Sequence, residues 1–198
     1  QGGPEDFAEA RRWYGLAAVQ GHAEAQRMLG TMHYTGQGGP EDFAEARRWY
    51  GLAAAQGHAR AQSWLGTMHR AGQGGPEDFA EARRWFGLAA AQGDAVAQNG
   101  IGLMHFTGQG GPEGFAEARR WFGFAAAQGH AGAQYGLGHM HHTGKGGPED
   151  FAEARRWYGL AAAQGDAVAQ CDLGLMHRAG EGGPEDFAEA RRWYGLAA

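Results

Sequence analysis

Cysteine occurs once in this chain, at Cys171, which excludes an internal disulfide and any metal site assembled from several cysteines. Isoleucine also occurs once and valine three times. Leu, Ile, Val and Phe together make up about 13% of the residues, a share at which disorder has to be considered. No apolar run approaches the length of a membrane span, so no membrane partner is expected. The chain opens with no charged-then-apolar leader, and its formal net charge of −5 comes without the basic stripe of a nucleic-acid binder. One cysteine and no signal or membrane segment favour a cytoplasmic setting. The sequence begins without Met and stops inside a repeat, as an excised or processed piece of a longer chain would.

Proline is scarce as well, but its placement is regular. The six prolines are Pro4, Pro40, Pro76, Pro112, Pro148 and Pro184, each 36 residues after the last, so 198 residues hold five and a half copies of one unit. A strict period in this range marks a stacked repeat array. Every copy brings a Trp and a dense set of alanines, which supplies a core of small residues with aromatic anchors and rejects disorder. The units run 22–57, 58–93, 94–129, 130–165 and 166–198, preceded by a half repeat, 1–21.

In the unit that starts at His22, a first helix is predicted from about Ala23 to Tyr34, stopped by Gly36. The second half reads QGGPEDFAEARRWYGLAAAQG. Pro40 suits the first helical position, where a missing N–H costs nothing. Glu41, Asp42 and Glu45 complement the helix dipole, and Glu45 can pair with Arg48. Phe43, Ala46, Trp49 or Tyr50, and Ala53 recur at helical spacing as the buried stripe, and Gly57 ends the helix. Two antiparallel helices per 36 residues predict an all-α solenoid in one domain spanning 1–198.

The recurring A-x-x-x-L-G-x-x-H-x-x-G, followed by G-x-x-D-F-x-x-A-x-x-W-Y/F-x-x-A-A-x-Q-G, resembles the Sel1-like repeat, a relative of the tetratricopeptide repeat. The match recurs down the array at Ala25, Leu29, Gly30, Gly36, Asp42, Ala46, Trp49, Tyr50, Ala53, Ala54, Gly57 and their copies. The resemblance implies right-handed α/α superhelices that act as scaffolds or adaptors for other proteins, with first helices lining the concave surface, no catalysis and no cofactor. Two columns depart from the family pattern. His33, His69, His105, His141 and His177 stand where Tyr is usual, and Gly15, Gly51, Gly87, Gly123, Gly159 and Gly195 replace a long polar residue. A mid-helix Gly costs about 0.5–1 kcal/mol relative to Ala, so close helix approach is expected there.

The copies differ chiefly in five columns of the first helix. These hold Glu24, Arg27, Met28, Thr31 and Tyr34 in the first full unit, and Arg60, Ser63, Trp64, Thr67 and Arg70 in the second. The third has Val96, Asn99, Gly100, Leu103 and Phe106, and the fourth Gly132, Tyr135, Gly136, His139 and His142. The fifth has Val168, Cys171, Asp172, Leu175 and Arg178. At 100° per residue these columns fall within an arc of roughly 120°. Meanwhile the second helix hardly changes, even at pairs such as Arg11 and Arg12 that read as exposed. Ten of the 25 variable residues are apolar or aromatic, more than a merely solvated face would carry. The arc is therefore read as a surface that recognises a protein or peptide ligand. Tyr34, Trp64, Phe106 and Tyr135 are its anchors, and Arg60, Arg70 and Arg178 its partners for acidic groups.

Other chemistry has weaker support. His139 and His142 share a helix face without a convergent carboxylate or cysteine, so no metal site is expected. The fixed histidines read as buried spacers with a ring nitrogen bonded to backbone or to a neighbouring repeat, since a base would need a partner at a fixed offset. The acidic residues lack the spacing of a Ca²⁺ loop, and the Gly-Gly-Pro turns lack the Lys-Ser/Thr of a phosphate cradle. A different class of function, self-assembly, is suggested by two ends built from the same second helix without polar caps. Near-identical copies are also what an engineered consensus scaffold would show, although Gly inside every long helix argues against design.

Overall fold

The computed structural model describes residues 4–198; residues 1–3 of the half repeat lie outside it. Among the described residues there are eleven α-helices and no strand, an all-α solenoid of helix pairs. They divide into two compact units, Gln1–Ala97 and Gln98–Ala198. The first contains α1 (Pro4–Val19), α2 (Ala23–Thr35), α3 (Phe43–Ala55), α4 (Ala59–Ala71) and α5 (Phe79–Ala91), each packed on the next. In the second, α6 (Ala95–Thr107) begins at the boundary. It is followed by α7 (Phe115–Ala127), α8 (Ala131–Thr143), α9 (Phe151–Ala163), α10 (Ala167–Ala179) and α11 (Phe187–Ala197), and each of these packs on its successor from α7 onward.

Local chemistry sets the helix ends. First helices stop at a glycine in the left-handed region, Gly36 at φ 69° for α2. The second helices begin later than the sequence suggests. Pro40 and Glu41 lie in the preceding turn, and Asp42 is the N-cap, its carboxylate accepting from the Glu45 N–H at 3.0 Å. The reason is the extended conformation of Asp42 (φ −148°, ψ 94°), whose own N–H donates to the His33 carbonyl at 2.8 Å. That bond ties the end of one helix to the start of the next and leaves no room for a helical turn at Pro40. Only α1 starts on its proline.

Alanines and one large ring per repeat fill the core. Around Tyr50, which is fully buried, pack Ala46, Ala53, Ala54, Ala61, Leu65 and Met68; Tyr158 holds the corresponding place in the second unit. Each ring lies against a glycine of the partner helix. A Cβ on Gly30 would stand 2.9 Å from the Tyr50 ring, and one on Gly66 2.9 Å from Phe86. These are the close approaches of the fold.

The mid-helix column is a different case, and close approach there is overturned. A Cβ added at Gly15, Gly51, Gly87, Gly123 or Gly195 would meet nothing within 4 Å, and one at Gly159 only Leu173 at 4.0 Å. No packing in the structure explains these glycines.

Buried amides stitch neighbouring repeats together. Gln26 donates to the Ala18 carbonyl of α1 at 3.1 Å and accepts from Gln56, which follows α3, at 2.7 Å. The pattern repeats as Gln62 to Ala54 with Gln92 to Gln62, and as Gln134 to Ala126 with Gln164 to Gln134. Each glutamine is thus satisfied on both sides, as a buried amide must be.

The two glycine classes predict opposite responses to alanine. Gly51→Ala is expected to stabilise by about 0.5–1 kcal/mol, since the new methyl enters open space and helix propensity rises. Gly66→Ala is expected to destabilise, because the Phe86 ring must give way. Urea unfolding of the two variants, followed by circular dichroism, checks both signs.

Candidate functional site

The fixed columns are occupied with holding the repeats together. The N–H of the Arg11 guanidinium reaches Nδ1 of His33, 22 residues on, at 2.7 Å; Arg47 and Arg119 reach His69 and His141 at 2.6 and 2.8 Å, and Arg155 bonds His177. Because arginine only donates, Nδ1 must accept, which places the ring proton on Nε2. Burial, then the adjacent guanidinium, pushes all four imidazoles below their ordinary range. These are neutral, half-buried rings bonded to the preceding repeat.

Arg11, Arg47, Arg119 and Arg155, which read as exposed in the sequence, are accordingly half-buried bridges. Even the exposed second arginine has a place. Arg48 lies 4.9 Å from the Trp49 ring centroid and 3.1 Å from Glu45. The invariance of these arginine positions therefore follows from packing and hydrogen bonding. One signal in the sequence pointed this way: Arg, Gln and His recur together at unchanging offsets.

The variable columns fall into three groups. In the first unit many of their members bridge repeats. Glu24 binds Arg27 at 2.6 Å and the ring of His58 at 2.7 Å, and its carboxyl is lowered to about 2, chiefly by Arg27. Thr31 accepts from the Tyr50 hydroxyl at 2.9 Å. Tyr34 meets Phe43 edge-on and leans on Trp64, whose indole stacks on Tyr50. Met28, Arg27, Thr67 and Arg70 are half-buried beside them, and Ser63 is buried, so it offers a partner nothing.

A second group faces solvent. Arg60, Val96, Val168, Cys171, Leu175 and Arg178 are exposed, Val96 and Val168 by more than half of their surface. A third group clusters in the second unit, where Leu103, Phe106, Tyr135 and His139 surround an apolar pocket of about 240 Å³ with Phe122 at its floor. Asn99 is half-buried and Gly100 buried. Tyr135 also packs on Tyr158, and His142 bonds Glu181 at 3.0 Å, so His139 and His142 engage different neighbours. Among the described residues no three His, Cys, Asp or Glu side chains converge, and no helix is long and apolar enough to cross a membrane.

Sequence reasoning missed one surface. Leu52, Leu88, Phe124 and Leu160, a nearly constant column of the second helices, are exposed.

A family model described as Sel1 repeat matches residues 1–22, 23–58, 59–94, 95–130, 131–166 and 167–198. Among solved structures, c5321, a protective antigen of uropathogenic Escherichia coli strains that displays an SLR fold, is 35% identical with a TM-score of 0.88, over 94% of this chain and 40% of that one. The chain thus spans about two fifths of that protein's length. A Sel1 repeat protein from Oxalobacter formigenes is 32% identical with a TM-score of 0.86, over 96% of this chain and 76% of that one. Immunity protein Pa5087 from Pseudomonas aeruginosa, 21% identical with a TM-score of 0.58 over 94% of this chain and 72% of that one, shares the fold alone. Comparison with curated proteins finds no match.

The state of the histidines predicts a pH dependence. Their folded pKa values lie below the unfolded value of about 6.5, so the unfolded chain binds more protons as the pH falls through that value. Their contribution to stability is full above about pH 7 and declines toward pH 5. A lower melting temperature at pH 5 than at pH 7.5 is expected, with a smaller difference when His33, His69, His141 and His177 are all changed to Gln.

Proposed function

The chain belongs to the Sel1 repeat family, and from that premise we propose that it is a non-catalytic scaffold that binds a protein or peptide through the faces of its first helices. Sel1 repeat proteins are generally interaction scaffolds, and the reading for this chain rests on one observation. The invariant Gln, His, Arg and ring positions have partners inside the fold, whereas the columns that change between copies include side chains left facing solvent: Arg60, Val96, Val168, Leu175 and Arg178. Arginine is enriched at interface hot spots, and exposed apolar side chains gathered on one face mark interaction surfaces. Tyr34 and Trp64, packed on each other and on Phe43 and Tyr50, brace that face rather than read a ligand.

Affinity capture from a native extract tests this. A variant with Arg60→Glu, Val96→Ser, Val168→Ser and Leu175→Ser is expected to lose the retained polypeptide while keeping its helicity. A control with Leu52→Ser and Leu88→Ser on the second helices is expected to keep it. Loss in the control and retention in the first variant would move the binding face to the second helices.

End-to-end self-association is the second reading. Trp13 is 59% exposed on α1, whereas Trp49, the same position one repeat on, is 8% exposed; Phe187 on α11 is exposed, whereas Phe43 is half-buried. These faces would accept a second copy of the chain as readily as a further repeat. Sedimentation velocity over a hundredfold concentration range is expected to show growth that Trp13→Ser with Phe187→Ser suppresses; a constant monomer removes this reading.

A further inference from the structure

One position carries opposite contents in the two units. Trp64 in α4 corresponds, two repeats on, to Gly136 in α8. The Trp64 indole stacks on Tyr50 with centroids 5.9 Å apart and planes 5° from parallel, and it leans on Tyr34 at 5.2 Å. The residues that correspond to Tyr50 and Tyr34 are Phe122 and Phe106. Both line the pocket of about 240 Å³ that remains where Gly136 supplies no side chain. A Cβ at Gly136 would touch the edge of the Phe122 ring at 3.2 Å, so a side chain there would be directed along that ring. At the mouth, Gly132 stands where the other unit has Arg60, which keeps the entrance open.

Size and lining define what fits. The volume lies below the several hundred Å³ typical of sites for drug-sized ligands, and suits one ring. The walls are almost wholly apolar, with one imidazole among them: His139, 6.0 Å from the Phe106 ring centroid. Burial, then Lys145, holds that imidazole below its ordinary range, so near pH 7 it is neutral and has a ring nitrogen able to accept an N–H.

We propose that this pocket takes the indole side chain of a tryptophan in a bound peptide, in the place that Trp64 fills with the chain's own indole in the other unit. The proposal deepens the peptide-binding reading and rests on it. It supplies that reading with a specificity element: one ring socket, present in the second unit and already plugged in the first.

The probe is N-acetyl-tryptophanamide, followed by calorimetry or saturation-transfer NMR on the whole chain. One site with a Kd on the order of 0.1–1 mM is expected, with N-acetyl-leucinamide at least tenfold weaker. Gly136→Trp is expected to abolish binding by filling the socket from within. Should that variant lose its helical circular dichroism, Gly132→Arg closes the mouth instead, with the side chain that the other unit carries at position 60. Trp64→Gly combined with Arg60→Gly is expected to open a second socket and raise the stoichiometry to two. No binding to the unaltered chain, unchanged affinity after the socket is filled or closed, equal binding of the leucine probe, or a stoichiometry still at one in Trp64→Gly with Arg60→Gly would each overturn the assignment. Because the probe needs no partner, the two ideas fail separately. Indole binding without partner capture removes the peptide-binding reading, whereas capture without indole binding removes the socket alone.

Discussion

The structure depends on a contact between a ring and a bare helix backbone. Tyr50 lies on Gly30, Phe86 on Gly66 and Tyr158 on Gly138, at distances a methyl group would violate. This approach lets a protein with few Leu, Ile and Val residues build a core, because helices this close are filled by alanines, which lose no side-chain entropy on burial. The ring is the largest fully buried side chain of its repeat, and the glycine makes room for it. In the first unit the phenol keeps its polar end satisfied through Thr31, and burial pushes the Tyr50 hydroxyl up to about 12.

Close helices leave their polar groups little access to water, so the chain must satisfy them internally. Gln26 and its copies do this between successive repeats, and the Arg11–His33 bridges do it along the turn side. Each such bond adds only about 1 kcal/mol when made, but an orphaned buried partner costs about 1–3 kcal/mol. That asymmetry accounts for columns that never change. A neutral histidine suits this place because it accepts from arginine without bringing a second positive charge against it. In a one-dimensional array every such bond serves a repeat and its neighbour, so the pattern must hold in every copy.

The columns that change between copies lie outside this repeated network. The variable columns divide by depth: some brace neighbouring repeats, some face solvent, and some enclose the pocket above Phe122. An anchor such as Trp64 belongs to the first kind, since it stacks on the core ring while 36% of its surface stays exposed. The same scaffold thus fills this place with its own indole in the first unit and leaves a pocket of about 240 Å³ there in the second.

The sequence by itself determined the period, the helix pairs, their glycine stops, the acidic starts and the family, because each rests on spacing and on groups a few residues apart. It also separated the changing columns from the fixed ones. What it misjudged involves contacts between helices, by residues 9 to 22 positions apart. Glycines in the middle of the long helices face open space, whereas Gly30 bears the ring. Arg47 reads as a solvated charge, yet it bridges to His69. The start of α3 moved from Pro40 to Phe43 because the Asp42 N–H is held by His33 on another helix. Only the tertiary structure decided these points and revealed the void beside Gly136. Which face of a helix is crowded depends on how neighbouring helices cross, and that geometry is absent from the order of residues along one helix.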